Sequence, residues 1–199
     1  MIDDSDVINK NDILKAYDRL DGKYGLKTFA PHFESDCTDV GRLSRLPKGT
    51  AENGATYIHA TLFGIMSLFD MGESERAWGQ LYKILPITHK FTSTSPFVMS
   101  NSYAENAEFD LDGESISDWF TGSGCVLLKT LYRKVFGINP TFDGVEITPA
   151  ENPPFARGEC TVIIKGKHIT VRLLKGEGTR KIFIPTEHLR DGQIVEVYV

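Results

Sequence analysis

Apolar residues in this chain follow one period before Gly137 and another after it. In the first part they recur every three or four positions, which is typical of helices that pack on one face. The pattern predicts four helices: one that Asn11 or Asp12 caps and Gly22 ends, and others over about 56–69, 73–85 and 125–136. The second and fourth are apolar on nearly all sides. This predicts burial in a core, and exposed apolar surface wherever the chain supplies too few packing partners.

After Gly137 the apolar residues alternate with polar ones, as they do in half-buried strands. Five short strands are predicted, over 142–147, 160–164, 168–174, 181–184 and 194–199. The sequence Lys165-Gly166-Lys167 separates two of them and predicts a hairpin. The predicted fold class is therefore α+β, with a helical region over residues 1–139 and a small antiparallel β-sandwich over residues 140–199.

Long loops join the predicted helices. Compact helical bundles have short connections, whereas long loops at one end of a helical array are typical of binding sites. We therefore expect the helical region to belong to a larger helical barrel, or to pair with another chain.

The composition is that of a globular protein, with 199 residues, 41% of them hydrophobic and 25% charged. A formal net charge of −5 without any Lys/Arg run argues against nucleic acid and anionic membranes as partners. The acidic residues 1–6 form no apolar leader, and no stretch approaches the length of a membrane span. Cys37, Cys125 and Cys160 are widely spaced and predict free thiols in a reducing compartment, so we expect a cytoplasmic protein.

Two segments carry candidate chemistry. Residues 119–124, Trp-Phe-Thr-Gly-Ser-Gly, precede the fourth predicted helix, and free N–H groups at such a helix start can bind an anion. The alternative is that Thr121 or Ser123 only caps the helix. Upstream, residues 49–59 contain Glu52 and His59 just before and inside the second helix. A single histidine on an apolar helix is more often a core residue, and a single loop glutamate is more often solvated.

Several segments of the chain, taken in order, resemble the inverting disaccharide phosphorylases of the cellobiose and chitobiose phosphorylase type, in glycoside hydrolase family 94. The segments are Glu52-Asn53-Gly54 with His59, Gly72 to Ala77, Pro96-Phe97-Val98, Trp119 to Gly122, and Gly137 to Gly144. The stretch at 112–115, Asp-Gly-Glu-Ser, is most similar to the β-1,2-oligoglucan phosphorylase branch.

The resemblance implies the last helices of an (α/α)6 barrel followed by the C-terminal β-sandwich. It also implies that phosphate attacks a β-glucoside with inversion and gives an α-sugar 1-phosphate. By motif position, His59, Thr121 and Gly122 would bind the phosphate and Glu52 would contact sugar hydroxyls. The expected partners are an oligosaccharide and inorganic phosphate as co-substrate, without a cofactor or metal, and a homo-oligomer is expected.

The chain also departs from the family pattern. The tryptophan-containing motif of the general-acid Asp and the phosphate-binding Arg both lie upstream in the family, and neither motif is present here. Ala51 stands where the family has a basic residue, which removes one sugar contact. The chain is thus expected to be the C-terminal part of a phosphorylase, without catalytic residues of its own, completed by a missing N-terminal portion or a second chain. The alternative is a non-catalytic remnant or carbohydrate-interaction module.

Other candidate residues are weaker. Trp119 could stack on a sugar, but a core position is the commoner use of such a residue. His32, His89, His168 and His188 belong to no constellation and are predicted to be surface residues. Asp110, Asp112 and Glu114 match no calcium-loop spacing and predict a solvated loop.

Overall fold

A computed structural model of the chain describes residues 9–34, 38–89, 97–117 and 121–199. The structure combines helices with small sheets. The chain folds into two units, one of residues 1–64 and 79–124 and the other of residues 65–78 and 125–199. Within the described ranges, no helix has both the length and the apolar character needed to cross a membrane.

The described residues contain four α-helices, which are α1 (Lys10–Leu20), α2 (Ile58–Asp70), α3 (Ser74–Ile84) and α4 (Thr121–Thr130), the last continued by a π-helical turn over Leu131–Val135. Short 3₁₀ segments cover Thr38–Arg45, Pro86–Thr88 and Thr186–His188. The predicted helix caps at Asn11 and Asp12 are wrong. Asn9 caps α1, since its extended backbone lets its side chain accept a hydrogen bond from the Asp12 amide, 3.0 Å away.

The two most apolar helices differ from their predictions. α2 begins two residues late because Thr56 and Tyr57 pair in a strand, and α4 begins at Thr121 instead of near residue 125. Phe63 on α2 is 53% exposed and Leu128 on α4 is 63% exposed. The expectation of a fully buried fourth helix is therefore wrong, and the expectation of exposed apolar surface is confirmed.

The first unit contains two small antiparallel sheets. A hairpin pairs β1 (Asp21–Gly22) with β2 (Gly25–Leu26), and a three-stranded sheet has the order β3 (Thr56–Tyr57), β4 (Ser102–Tyr103), β5 (Ser115–Ile116). The apolar core of this unit includes Leu26, Ala55, Ile58, Leu62, Leu81, Ile84, Tyr103 and Ala104. The loops that carry the candidate site start and end at these short strands.

The second unit contains two three-stranded sheets. One has the order β10 (Ile182–Pro185), β7 (Gly144–Ile147), β6 (Ile138–Pro140), and the other has the order β11 (Gln193–Tyr198), β9 (Lys167–Leu174), β8 (Arg157–Ile164). Buried side chains of both sheets form one hydrophobic cluster, with Ile147, Ile169, Val171, Leu173 and Val197 fully buried in it.

The predicted hairpin is confirmed, because Ile164 pairs with Lys167 across a two-residue turn. Lys165 and Gly166 have φ angles of 49° and 77°, as a turn with two left-handed central residues requires. The prediction that all strands are antiparallel is wrong, since β11 pairs in parallel with β9. Between these two strands the chain passes through β10 of the other sheet, so it re-enters its own sheet in the same direction.

Candidate functional site

His59 lies in the first turn of α2 and is half-buried. Its imidazole packs against the ring of Phe63, with 5.2 Å between ring centroids, and meets the ring of Tyr57 edge-on at 6.3 Å. The same imidazole lies beside the start of α4. A Cβ atom placed on Gly122 would lie 3.6 Å from His59 Cε1 and 3.7 Å from His59 Nδ1.

The structure therefore brings together two of the residues that the sequence predicted for phosphate, His59 and Gly122, and α4 begins at Thr121 beside them. Ser123 is buried inside the first turn of α4, so it is not the residue that caps this helix. Trp119 lies outside the described residues. The first N–H groups of a helix lack partners within the helix and carry partial positive charge, so this helix start can attract an anion.

The loop before α2 holds Glu52 through its neighbour Asn53. The buried Asn53 amide donates hydrogen bonds to the carbonyl oxygens of Phe33, at 3.1 Å, and Leu46, at 2.9 Å. Its side-chain oxygen accepts one from the Phe33 N–H at 2.8 Å. Every polar atom of the Asn53 side chain is thus used to fix the loop, so this residue of the Glu-Asn-Gly motif is structural.

Glu52 is exposed and forms an ion pair with Arg42. It lines a pocket of about 370 Å³ in the first unit, which we name the Glu52 pocket. The other lining residues are Thr28, Ala51, Tyr57, Asn101, Ser102, Ile116 and Ser117. Tyr57 belongs to this lining, and its ring also meets the imidazole of His59. A lining that combines hydroxyl, amide and carboxylate groups with an aromatic residue suits a sugar.

Sequence reasoning missed Arg42, Asn101, Ser102 and Ser117 as neighbours of Glu52. Arg42 lies in a 3₁₀ segment, and the other three lie in irregular segments or in a two-residue strand, which are too short to show any periodicity. The pairing of Tyr57 with Ser102 and of Ser102 with Ile116 brings these three to one place.

The remaining histidines divide into two kinds. His32, His168 and His188 are exposed, as predicted, and His168 pairs with Asp191 at 2.9 Å. The prediction is wrong for His89, which is half-buried. The centroid of its ring lies 4.1 Å from that of the Tyr103 ring and 5.4 Å from that of the Tyr24 ring. Pro96 of the family-like motifs lies outside the described residues.

The model of the Glycosyl hydrolase 94 superfamily catalytic domain matches residues 7–137. The chain belongs to this family. Its resemblance to the disaccharide phosphorylases is thereby confirmed.

The relatives that the chain matches include two proteins named as phosphorylases and one named as a glucan synthase. It is 28% identical over 141 residues to a solabiose phosphorylase from Paenibacillus borealis, covering 68% of this chain and 18% of that protein. It is 23% identical over 179 residues to an N,N'-diacetylchitobiose phosphorylase from Vibrio furnissii, covering 86% of this chain and 22% of that protein. It is 26% identical over 132 residues to the cyclic β-(1,2)-glucan synthase NdvB of Rhizobium meliloti strain 1021, covering 62% of this chain and 5% of that protein. The chain thus spans less than a quarter of the length of each of these relatives.

Proposed function

We propose that this chain is the C-terminal part of a carbohydrate phosphorylase that cleaves a β-glucoside with inorganic phosphate. The reaction inverts the anomeric carbon and releases an α-sugar 1-phosphate and a shortened acceptor. Membership of the family supports the reaction class. The observation that carries the assignment to this chain is that the imidazole of His59 lies beside the α4 start, with room for about one Cβ atom between it and Gly122.

In this proposal, phosphate sits at the N-terminus of α4, between the amides of Thr121 and Gly122 and the imidazole of His59. Phosphate is already a nucleophile, so the protein has to position it and needs no catalytic base. The sugar ring occupies the neighbouring pocket, where Glu52 accepts hydrogen bonds from its hydroxyl groups. Arg42 pairs with Glu52 and orients the carboxylate.

The leaving oxygen must receive a proton from a general acid. We propose that this acid lies in sequence that the matched relatives have and this chain does not, since the chain spans 18% and 22% of the two phosphorylases. In the completed protein, residues 1–139 would form the last part of an (α/α)6 barrel and residues 140–199 the C-terminal β-sandwich. The end of the family match at residue 137 supports this division. We further propose a cytoplasmic homo-oligomer.

A β-1,2-linked glucan is the proposed substrate. The match to a protein named for cyclic β-(1,2)-glucan supports this linkage, together with the Asp-Gly-Glu-Ser stretch at residues 112–115.

Phosphate binding by the chain tests the site directly. In a ³¹P NMR titration, His59→Ala should weaken phosphate binding by tenfold or more, because one hydrogen bond to a charged group is worth about 1.5–3 kcal/mol. His168→Ala is the matched control, since His168 is exposed in the second unit and should have no effect. Equal phosphate affinity in wild type and the His59 variant would refute the site.

Turnover tests the reaction. The chain produced together with the N-terminal portion of a phosphorylase of this family should release sugar 1-phosphate from sophorose, a β-1,2-linked glucose disaccharide. A reconstituted protein that binds sophorose but never consumes phosphate would support the non-catalytic module instead.

A further inference from the structure

The first unit holds a second pocket that the proposed phosphorolysis does not use. Its volume is about 720 Å³. We name it the Tyr24 pocket, and its lining residues are Lys23, Tyr24, Tyr82, Lys83, Thr88, His89, Asp110, Asp112 and Gly113.

The Tyr24 pocket and the Glu52 pocket lie on opposite sides of the three-stranded sheet. Successive residues of a strand point to opposite faces, and Ser102 of β4 lines the Glu52 pocket. The next residue, Tyr103, is fully buried on the other face. The centroid of its ring lies 4.1 Å from that of the His89 ring and 6.3 Å from that of the Tyr24 ring. The two pockets are therefore separate sites.

Both lysines of the Tyr24 pocket are neutralised by aspartates. Lys23 Nζ lies 2.5 Å from Asp112 Oδ2, and Lys83 Nζ lies 2.5 Å from Asp21 Oδ1. Lys83 also donates to the carbonyl oxygen of Gly22 at 3.0 Å. With these cations matched and Asp110 also on the wall, the pocket offers no net positive charge to an anion such as phosphate.

Aromatic rings supply the apolar surface of the Tyr24 pocket. Tyr24 is held in place by a 3.0 Å hydrogen bond from its hydroxyl group to Asp112 Oδ2. Tyr82 is 49% exposed, so part of this side chain is accessible to a ligand. Such rings offer flat surfaces on which the C–H faces of a sugar can stack, while carboxylates beside them bind its hydroxyl groups.

The His89 ring is fixed in the wall of the pocket. Its Nε2 lies 2.6 Å from the carbonyl oxygen of Lys83, and because a carbonyl only accepts, this nitrogen carries the proton. The ring also packs on Tyr24, with 5.4 Å between the ring centroids. His89 therefore adds aromatic surface to the wall that Tyr24 and Tyr82 form.

We propose that the Tyr24 pocket is a second binding site, for an uncharged polyhydroxylated ligand of the carbohydrate class. The ligand stacks on Tyr82 and Tyr24 and donates hydrogen bonds from its hydroxyl groups to Asp110 and Asp112. The site does not depend on the phosphate site, so it would serve either an active phosphorylase or a protein that only binds glycans.

An NMR titration of the ¹⁵N-labelled chain tests this proposal, with sophorose and inorganic phosphate as separate probes. Sophorose should cause saturable shifts in the amides of Lys23, Gly113 and Thr88, and phosphate should cause none there. Phosphate responses at Gly122 report on the proposed function, so each hypothesis can fail while the other stands.

Asp112→Asn sharpens the test, because it removes the partner charge of Lys23 while it keeps the shape of the side chain. Sophorose affinity at this pocket should fall about fivefold, the equivalent of one hydrogen bond, and phosphate binding should appear. Glu146→Gln is the matched control, since it removes the same charge from an exposed pair with Lys181 in the second unit. It should change neither response.

Three outcomes would overturn the proposal. They are sophorose shifts confined to the residues around Glu52, phosphate binding in the wild-type Tyr24 pocket, and an Asp112→Asn variant that behaves like Glu146→Gln. Preserved dispersion of the amide spectrum verifies that each variant is folded.

Discussion

Substitution of Gly122 by alanine should separate stability from phosphate binding. Gly122 is exposed and lies inside α4, so its backbone is already helical. Among the described residues an added Cβ would meet His59 alone, at 3.6 and 3.7 Å, which is ordinary van der Waals contact. Alanine is favoured over glycine in a helix by up to ~1 kcal/mol, and less near a helix end. We therefore expect the Tm to rise by about 1–3 °C in a chain of this size.

Phosphate binding should move in the opposite direction. The Cβ atom would fill the gap between the α4 amides and the imidazole, which is where the proposed phosphate oxygens approach. We expect phosphate affinity to fall at least tenfold, which corresponds to ~1.4 kcal/mol. Calorimetric unfolding and ³¹P NMR titration of the same samples measure the two effects.

Gly79→Ala is the control for this experiment. Gly79 is also an exposed helical glycine, and an added Cβ there would have no atom of the described residues within 4 Å, so the variant should gain similar stability and bind phosphate normally. If Gly122→Ala is stabilised and still binds phosphate as wild type does, the anion does not lie between α4 and His59. If it unfolds more easily than wild type, the geometry of the contact is different from that described.

Three further outcomes are expected. Asn53→Ala should lower the free energy of unfolding by ~2–3 kcal/mol in urea titrations, because three partly buried backbone groups lose their partners, and a loss below 0.5 kcal/mol would contradict the structural role. Burial raises the pKa of Tyr103 to about 12, above the value of 10.0 for an ordinary tyrosine, so the unfolded chain releases this proton first and stability should fall between pH 10 and 12. Tyr103→Phe should remove that part of the pH dependence, and an unchanged pH profile would show that Tyr103 does not cause it. The chain alone should release no sugar 1-phosphate from β-linked disaccharides, and any phosphate-dependent product would show that it contains its own general acid.

The spacing of apolar residues by three or four positions predicted most of the helices, and the alternation of apolar and polar residues predicted most of the strands. β8 and β9 are eight residues each and alternate clearly, and their turn residues admit a left-handed backbone, so both the strands and their pairing could be predicted. The partner of β11 could not be predicted. Alternation shows which side chains of a strand share one face of the sheet, but it does not show which strand lies next to it or in which direction that strand runs.

The candidate site was less accessible to sequence reasoning. His59 and Gly122 are 63 positions apart in the chain, and only their motif positions suggested that they meet. The strands that assemble the Glu52 pocket have two residues each, and Arg42 lies in a 3₁₀ segment that Gly41 interrupts with a φ of 64°. Pairing of this kind depends on tertiary structure, which no local pattern records.

Asn53 fixes its loop through hydrogen bonds to the backbone. This affects how the Glu-Asn-Gly motif should be used to recognise active members of the family. The Asn53 side chain is hydrogen-bonded to the backbone of residues 33 and 46, and Gly54 packs closely on His32 and Phe29. Selection for folding alone would retain both residues in a descendant that had stopped handling sugars. Glu52 is exposed, and its ion-pair partner, Arg42, is another side chain, so folding constrains it less. A surviving Asn-Gly pair therefore records common ancestry, and under the role proposed for Glu52 the residue before that pair would distinguish working enzymes from inactive descendants.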